Sequence, residues 1–125
     1  MDENTLSNQI IGAAIEVHKH LGPGLLESAY EEPMAHEMTL HSISFERQKP
    51  LPVVYKGVRL ESGYRLDFLV GSLVVVELKA VEKLAPIHEA QMLTYLRLTG
   101  CKLGLLLNFN NIKMKDGIQR VVRGL

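Results

Sequence analysis

Two apolar runs separated by one helical segment constrain the fold of this chain more than any other feature of its sequence. Residues 73–81, LVVVELKAV, and residues 101–109, CKLGLLLNF, are typical of buried strands. Pro86 and Gly100 are suited to begin and end a helix between them. A strand, a helical crossover and a second strand predict a mixed sheet with helices on its faces, which is an α/β (α+β) fold.

The remaining pattern predicts two helices before the sheet, over residues 6–21 and 25–40, separated by the helix-breaking sequence GPG. Pro33 lies inside the second helix, where its missing N–H predicts a kink or a helix that begins again at Pro33. Short strands are predicted from residue 43 onwards, with Lys56-Gly57 as a tight turn. They cover residues 43–48, 51–55, 58–62, 64–70 and part of the tail 117–125. With no repeat or linker, we expect residues 1–125 to form one domain.

Cysteine content and hydropathy exclude several classes of protein. Cys101 is the only cysteine, so the chain cannot form an internal disulfide or a multi-cysteine metal site. No apolar run reaches the roughly 18 residues that a membrane span needs. The acidic, polar start MDENTLSNQI is unlike a signal peptide. These features predict a cytoplasmic protein without a membrane partner.

Charge is distributed unevenly although the net charge is zero. Residues 1–78 contain 6 Lys/Arg and 11 Asp/Glu, whereas residues 79–125 contain 8 Lys/Arg and 3 Asp/Glu. This asymmetry is consistent with an acidic, cation-binding site beside a basic surface that faces phosphates. It is equally consistent with chance.

Glu77 and Lys79 stand at the end of a valine-rich strand, on the same face as Val75. The simplest interpretation is that the strand emerges into solvent there. Asp67 on the preceding strand offers another. A two-residue turn at Gly71-Ser72 would put Asp67 and Glu77 on opposite faces, whereas an odd-length loop or a bulge would put them directly across from each other.

Paired carboxylates with a lysine alongside are suited to phosphodiester hydrolysis. Mg²⁺ prefers a few carboxylate oxygens together with waters and substrate phosphate. The cation can polarise the phosphate and hold an attacking water, while Lys79 can orient that water or neutralise developing charge. Asp67, Glu77 and Lys79 are therefore candidate catalytic residues, and the two acids are candidate metal ligands.

Two helices carry further candidates. His88, Gln91 and Tyr95 share one face of the helix that Pro86 begins, where they are able to contact phosphate or stack on a base. Glu27 and Tyr30 share a face of the second helix, where Glu27 is a candidate third carboxylate and Tyr30 a candidate substrate contact. The plainer alternatives are a half-buried tyrosine, a surface glutamine, and acids that complement the helix dipole.

The chain resembles a known family over nearly its whole length. GLLESAY, with Gly24, Glu27 and Tyr30, resembles the signature of the GxxExxY protein family. That family is similar to the PD-(D/E)XK nuclease superfamily, and particularly to its λ-exonuclease and RecB-like branch. The segments that carry the resemblance are IIGAAIEVHKHLGPGLLESAYEE, YRLDFLV, VVVELKAVEKLAPIHEAQMLTYLRLTG and KLGLLLNFN.

The resemblance implies a restriction-endonuclease-like core and cleavage of nucleic acid, with DNA expected, that depends on Mg²⁺ or Mn²⁺. Asp67 matches the metal-binding aspartate of the superfamily, and Glu77 with Lys79 matches its E-x-K pair. Gln91 and Tyr95 match the Q-x-x-x-Y motif of the RecB-like branch. Glu27 matches the additional acid that this branch carries near its metals. Leu66 stands where the motif has proline. The chain is close to a bare core, which leaves open whether activity requires a homo-oligomer or a partner protein.

Two other classes of function remain open from the sequence. The first is a catalytically silent nuclease-fold module that binds nucleic acid or a partner protein and keeps its carboxylates as a structural cluster. The second is a structural or assembly protein built on apolar edge strands such as KLGLLLNF. Loss of turnover in Lys79→Ala with intact metal binding would favour the enzyme over both.

Overall fold

The computed structural model describes the backbone of residues 1–125 and every side chain except those of residues 61 and 62. The chain forms three α-helices and five strands, with one 3-10 turn, Met114–Gly117, before the last strand. The elements are α1 (Glu3–Leu21), α2 (Ser28–Leu40), β1 (Phe45–Tyr55), β2 (Val58–Val70), β3 (Val74–Lys79), α3 (Pro86–Thr99), β4 (Leu103–Asn108) and β5 (Ile118–Val122).

The five strands form one mixed sheet in the order β1-β2-β3-β4-β5. β3 and β4 are parallel and are joined by the crossover helix α3, while the other neighbours are antiparallel. The predicted α/β (α+β) fold, consistent with a restriction-endonuclease-like core, is confirmed. None of the helices is long and apolar enough to span a membrane, residues 61 and 62 being outside that search.

Helices cover both faces of the sheet, and each face has its own core. α1 and α2 pack on one face through residues that include Ile10, Tyr30 and Met34, against Phe68 and Val76 of the sheet. α3 packs on the other face, and the members of that cluster are Leu51, Leu66, Leu69, Val75, Met92, Tyr95, Leu96, Cys101, Leu106 and Val121. The inner strands β3 and β4 are therefore buried from both sides, as parallel neighbours usually are.

A glycine sets the distance between α3 and the sheet. A Cβ placed on Gly104 in β4 would lie 2.3 Å from the sulfur of Met92 and 2.7 Å from its Cγ. Only the absence of a side chain at this position lets Met92 sit directly on β4. This close approach fixes the position of the helix that carries Gln91 and Tyr95.

Several predicted boundaries were wrong in ways that have a physical cause. The four strands predicted over residues 43–70 are two long ones, because β1 is an edge strand and tolerates Pro50 and Pro52 without losing inner ladder bonds. α2 runs continuously through Pro33, since burial of residues such as Met34 and Met38 compensates for one lost hydrogen bond. KLGLLLNF was expected as an edge strand, but β4 lies between β3 and β5 and is buried throughout.

Candidate active site

The loop between β2 and β3 sets the register of the candidate site. It consists of Gly71, Ser72 and Leu73, and the first two have positive φ angles of 58°. The hairpin pairs Val70 with Val74 and Phe68 with Val76. The loop therefore has the odd length that puts Asp67 across from Glu77. These two residues are the next positions along the strands after the pair of Phe68 and Val76.

The two strands separate at this point, and the carboxylates bridge the gap. Paired residues end at Phe68 and Val76. Beyond them the Glu77 carboxylate accepts a hydrogen bond of 2.7 Å from the backbone N–H of Asp67. The Asp67 carboxylate accepts one of 2.8 Å from the backbone N–H of Leu78. Each side chain takes the place of a backbone carbonyl of its own strand, so both carboxylates are fixed by the main chain.

Burial and mutual repulsion raise the proton affinity of this pair. The pKa of Glu77 is raised to about 8, first by burial and then by the negative charge of Asp67. Burial also raises the pKa of Asp67, opposed by the hydrogen bond from Leu78. The buried Glu77 carboxylate and the half-buried Asp67 carboxylate in one gap favour a bound cation, because a cation offsets both the burial and the repulsion.

Lys79 follows two residues after Glu77, at the end of β3, and its backbone is firmly held. The N–H of Phe109 donates to the Lys79 carbonyl at 2.9 Å. The buried Asn108 side chain accepts from the Val81 N–H at 3.0 Å and donates to the Val81 carbonyl at 2.9 Å. The positive charge of the Lys79 ammonium partly offsets the rise in the pKa of Asp67 and of Glu77. Among the described side chains it has no hydrogen bond or ion pair, so it remains available to a substrate.

Glu27 lies at the N-cap position of α2 but does not cap the helix through its side chain. It lines a cleft of about 480 Å³ together with Asp67 and Leu78. Its pKa is raised by partial burial, lowered by Lys79 and raised by Asp67. Within the described part of the chain no three His, Cys, Asp or Glu side chains are grouped closely enough to hold a metal ion. The Glu77 carboxylate contacts Asp67 through its backbone N–H, whereas Glu27 is linked to both acids by electrostatic repulsion.

Tyr95 faces the carboxylates from α3. Its side chain is buried, and its pKa is raised to about 12 by that burial and then by the charge of Glu77. The hydroxyl consequently stays protonated at neutral pH and can donate a hydrogen bond. Gln91, one turn earlier on α3, is half-buried and has no hydrogen-bond partner among the described residues.

A family model for the PD-(D/E)XK nuclease superfamily matches residues 4–121. The chain belongs to this superfamily. The search of curated proteins and the search of solved structures found no match. The narrower resemblance to the GxxExxY family and the RecB-like branch stays a prediction.

Nucleases of this superfamily generally use divalent metals, and the donor set of this nuclease-family chain suits one. The outer oxygen of Glu77 accepts no hydrogen bond from a described residue, and Asp67 Oδ1 receives only a long 3.5 Å contact from Gln48. Both carboxylates thus keep an oxygen for a cation. Two such ligands are enough for Mg²⁺, which retains several waters and binds substrate phosphate.

Two further residues, Gln48 and Glu31, lie at the site although the sequence analysis did not select them as site residues. Gln48 has a φ of 51° although it lies within β1, and its amide donates to the carboxylates of both Glu31 and Asp67. Glu31 also accepts a 2.9 Å hydrogen bond from Arg47. Positive φ in a non-glycine strand residue is strained, and such strain tends to occur at functional sites. Residue type does not reveal this position, because the positive φ of Gln48 is a property of the folded backbone.

Two predicted substrate-contacting residues have hydrogen bonds that serve the fold. Tyr30 is fully buried, stacks on Phe109 at 4.5 Å, and uses its hydroxyl to donate to the Gly22 carbonyl and accept from the Leu25 N–H. This burial argues against substrate contact, and it secures the loop before Glu27 instead. His88 accepts the Ala85 N–H on Nδ1 at 2.9 Å, which caps α3. A substrate contact by its other nitrogen stays a prediction.

Proposed function

We propose that this chain is a metal-dependent nuclease that hydrolyses phosphodiester bonds of nucleic acid, with DNA as the expected substrate. One observation supports the proposal above all others. Asp67 and Glu77 bridge the gap between separating strands and are held there by backbone N–H groups, with Lys79 two residues further along β3. Placing the buried Glu77 carboxylate next to the half-buried Asp67 carboxylate costs free energy, which a bound cation would offset.

In this proposal Asp67 and Glu77 hold Mg²⁺ or Mn²⁺, and Glu27 supports the cation from across the cleft. When bound, the cation would polarise the phosphate and lower the pKa of an attacking water. The raised pKa values of Glu27, Asp67 and Glu77 agree with a site that is completed by positive charge.

The other residues position the substrate. The Lys79 ammonium, which has no hydrogen bond or ion pair with a described side chain, neutralises charge that develops on the phosphate or orients the water. The protonated hydroxyl of Tyr95 donates to a phosphate oxygen, and Gln91 adds a second donor from the same helical face. His88 keeps Ala85 at the start of α3 and so maintains the orientation of that face.

Cleavage assays test this proposal directly. Labelled single-stranded, duplex and junction DNA, and RNA, are incubated with Mg²⁺, Mn²⁺ or chelator. We expect products that depend on metal and disappear in Lys79→Ala and in Glu77→Gln, which keeps the oxygen that accepts the Asp67 N–H. Products that persist in both variants would come from a contaminant, and an absence of products from every substrate would contradict the proposal.

A catalytically silent binding module is the second candidate, and a specific observation favours it. The oxygens nearest the strand gap already accept backbone hydrogen bonds, and no three-acid group is assembled among the described residues. Such carboxylates can serve as a structural bridge alone. Retained nucleic-acid binding without turnover, in parent and Lys79→Ala alike, would support the module. In either case we propose that residues 1–125 act as one domain. The domain acts alone, as a homo-oligomer or with a partner protein. A cytoplasmic location stays a prediction.

A further inference from the structure

The β1-β2 hairpin continues well beyond the rest of the sheet. β3 pairs with β2 only at residues 68–70, whereas β1 and β2 stay paired as far as Tyr55 and Val58 at the turn. We call residues 52–64 the distal ribbon. It is two-stranded, and an isolated two-stranded ribbon gains little stability of its own. A ribbon of this length therefore calls for a role outside the core.

One face of the distal ribbon is apolar and exposed. Tyr55 pairs with Val58 and Val53 pairs with Leu60, so these four side chains share a face. Tyr55 is 64% exposed, Val58 61% and Leu60 43%. A contiguous exposed surface of this kind marks an interaction site more often than a scattered apolar residue does.

A second exposed tyrosine lies where the ribbon joins the rest of the sheet. Tyr64, which is 55% exposed, pairs with Leu51, and Leu51 belongs to the core cluster under α3. Tyr64 is also close enough to Tyr95 to affect the ionisation of its hydroxyl, and Tyr95 is similarly affected by Glu77. Tyr55, Tyr64 and Tyr95 thus mark a path from the tip of the ribbon to the carboxylates.

Positive charge accompanies the aromatic rings on the ribbon. The Lys56 ammonium, at the turn of the ribbon, lies 5.5 Å from the centre of the Tyr55 ring. The carboxylates of the candidate site repel phosphate, so a cation outside the site adds to the contacts that Lys79, Gln91 and Tyr95 supply within it. A cation next to an exposed tyrosine matches the two requirements of single-strand binding, which are phosphate contacts and stacking of bases.

We propose that the distal ribbon is an arm that binds single-stranded nucleic acid and guides it into the site, with bases stacked on Tyr55 and Tyr64 and a phosphate held by Lys56. The proposal deepens the proposed nuclease function and rests on it. A single strand is favoured over a duplex because only unpaired bases expose faces for stacking. A second copy of the chain added to the outer edge is disfavoured, since Pro50 and Pro52 on β1 provide no N–H for pairing.

Binding measured without cleavage tests the arm separately from the nuclease. Fluorescence anisotropy of a labelled oligothymidine, and of a duplex of equal length, is recorded in chelator and again in Mg²⁺ with Lys79→Ala. Tyr55→Ser/Tyr64→Ser removes both rings, and Tyr55→Phe/Tyr64→Phe keeps them. Ile112→Ser is the matched control, because Ile112 is 82% exposed and lies outside the ribbon. Thermal unfolding verifies that each variant is folded.

We expect the parent to bind the single strand more tightly than the duplex. The serine pair should weaken single-strand binding by at least about tenfold, while the phenylalanine pair and Ile112→Ser bind like the parent. Lys56→Ala should reduce the slope of log K against log salt by about 0.7, the value for one phosphate contact on a single strand.

Several results would contradict the proposal that the distal ribbon binds single-stranded nucleic acid. They are unchanged binding by the serine pair, tighter binding of duplex than of single strand, no binding by the folded parent, or a parent dimer that dissociates in the serine pair. Failure of the two proposals can be told apart. Loss of binding in the serine pair without any cleavage by the parent supports the arm and contradicts the nuclease, and metal-dependent cleavage with unchanged binding does the reverse.

Discussion

Asp67 and Glu77 each combine a structural and a chemical task in one side chain. Each accepts a backbone N–H across the gap between β2 and β3, so removal of either carboxylate also removes a hydrogen bond that joins the strands. With alanine at these positions, loss of activity through unfolding could not be distinguished from loss of a catalytic carboxylate. Asparagine and glutamine keep an accepting oxygen and remove only the charge, which makes them the informative substitutions.

The ionisation of Glu77 gives a testable dependence of stability on pH. Its pKa is about 8 in the folded protein, against 4.5 for the ordinary glutamate, so the folded state binds its proton more tightly than the unfolded state. Stability is then highest below pH 4.5 with respect to this group and decreases as pH rises towards 8.

We expect the metal-free parent to lose at least about 1 kcal/mol more of its unfolding free energy than Glu77→Gln does between pH 5 and pH 8. Urea unfolding in chelator at both pH values measures the two differences. Titrating groups far from Glu77 are common to both proteins and cancel, so the difference reports Glu77 together with the groups that interact with it, Asp67 first among them. Equal losses in parent and variant would contradict the raised pKa.

Gln48 permits the separation of a functional side chain from a strained backbone. Gln48→Gly removes the amide that contacts Glu31 and Asp67 but suits a φ of 51°. We expect stability within about 1 kcal/mol of the parent, because relief of strain offsets the lost contacts. Activity should fall by about ten- to a hundredfold, since Asp67 loses part of its support. Cleavage rates and urea unfolding test this, with Gln119→Ala on β5 as the control; unchanged activity would rule out a positioning role for Gln48.

The strands and helices show how far the sequence predicts this fold. The mixed sheet, the crossover helix α3 and the Lys56-Gly57 turn follow from local patterns, because apolar runs and glycine-containing turns carry that information. The hairpin register did not follow, since Gly71-Ser72 permits both a two-residue and a three-residue loop.

Other features of the site depend on contacts between distant segments, which no local pattern records. The burial of Tyr30 depends on its stacking against Phe109, and the strained Gln48 depends on Glu31 of another element. Asn108 is another such case, since its amide is satisfied by Val81 on a separate strand end. A polar residue at the end of a fully apolar run was the only available indication of it.

The packing of α3 on β4 at Gly104 can be tested by filling the contact. Gly104→Ala puts a methyl group where Met92 lies and should cost about 1–3 kcal/mol of unfolding free energy. Met92→Ala opens a cavity and is destabilising by itself. The double variant should be more stable than the sum of the two single effects predicts, by at least about 0.5 kcal/mol. A double-mutant cycle by urea unfolding measures this coupling, and strict additivity would contradict direct contact. Activity of Gly104→Ala should decrease as well, because Tyr95 moves with α3.

The molecule as a whole encloses its carboxylates between two helical layers. Glu27 approaches from α2 on one side of the sheet and Tyr95 from α3 on the other, while Asp67 and Glu77 lie at the gap between strands. Cation binding should therefore be felt by the entire fold and not only by the hairpin. A ligand that binds only the native state stabilises it by an amount that increases with ligand concentration.

Mg²⁺ should raise the thermal midpoint of the parent at pH 8 by several degrees, since saturation to about 100 times the Kd contributes about 2.7 kcal/mol. The double variant Asp67→Asn/Glu77→Gln should show no such increase, although it keeps oxygens that accept the backbone N–H groups. Thermal unfolding followed by circular dichroism across a Mg²⁺ titration measures both. An equal increase in the two proteins would show that Mg²⁺ binds elsewhere.

The short span between the carboxylates has a consequence for the order of folding. Asp67 and Glu77 are ten residues apart, so one hairpin brings them together within microseconds. Tyr95 and the rest of α3 arrive later, because their contacts with the sheet close longer loops. Until then both acids are hydrated and repel each other weakly. The step that docks α3 is the one that buries them, and so refolding in chelator should slow as pH rises from 5 to 8 if docking limits the rate.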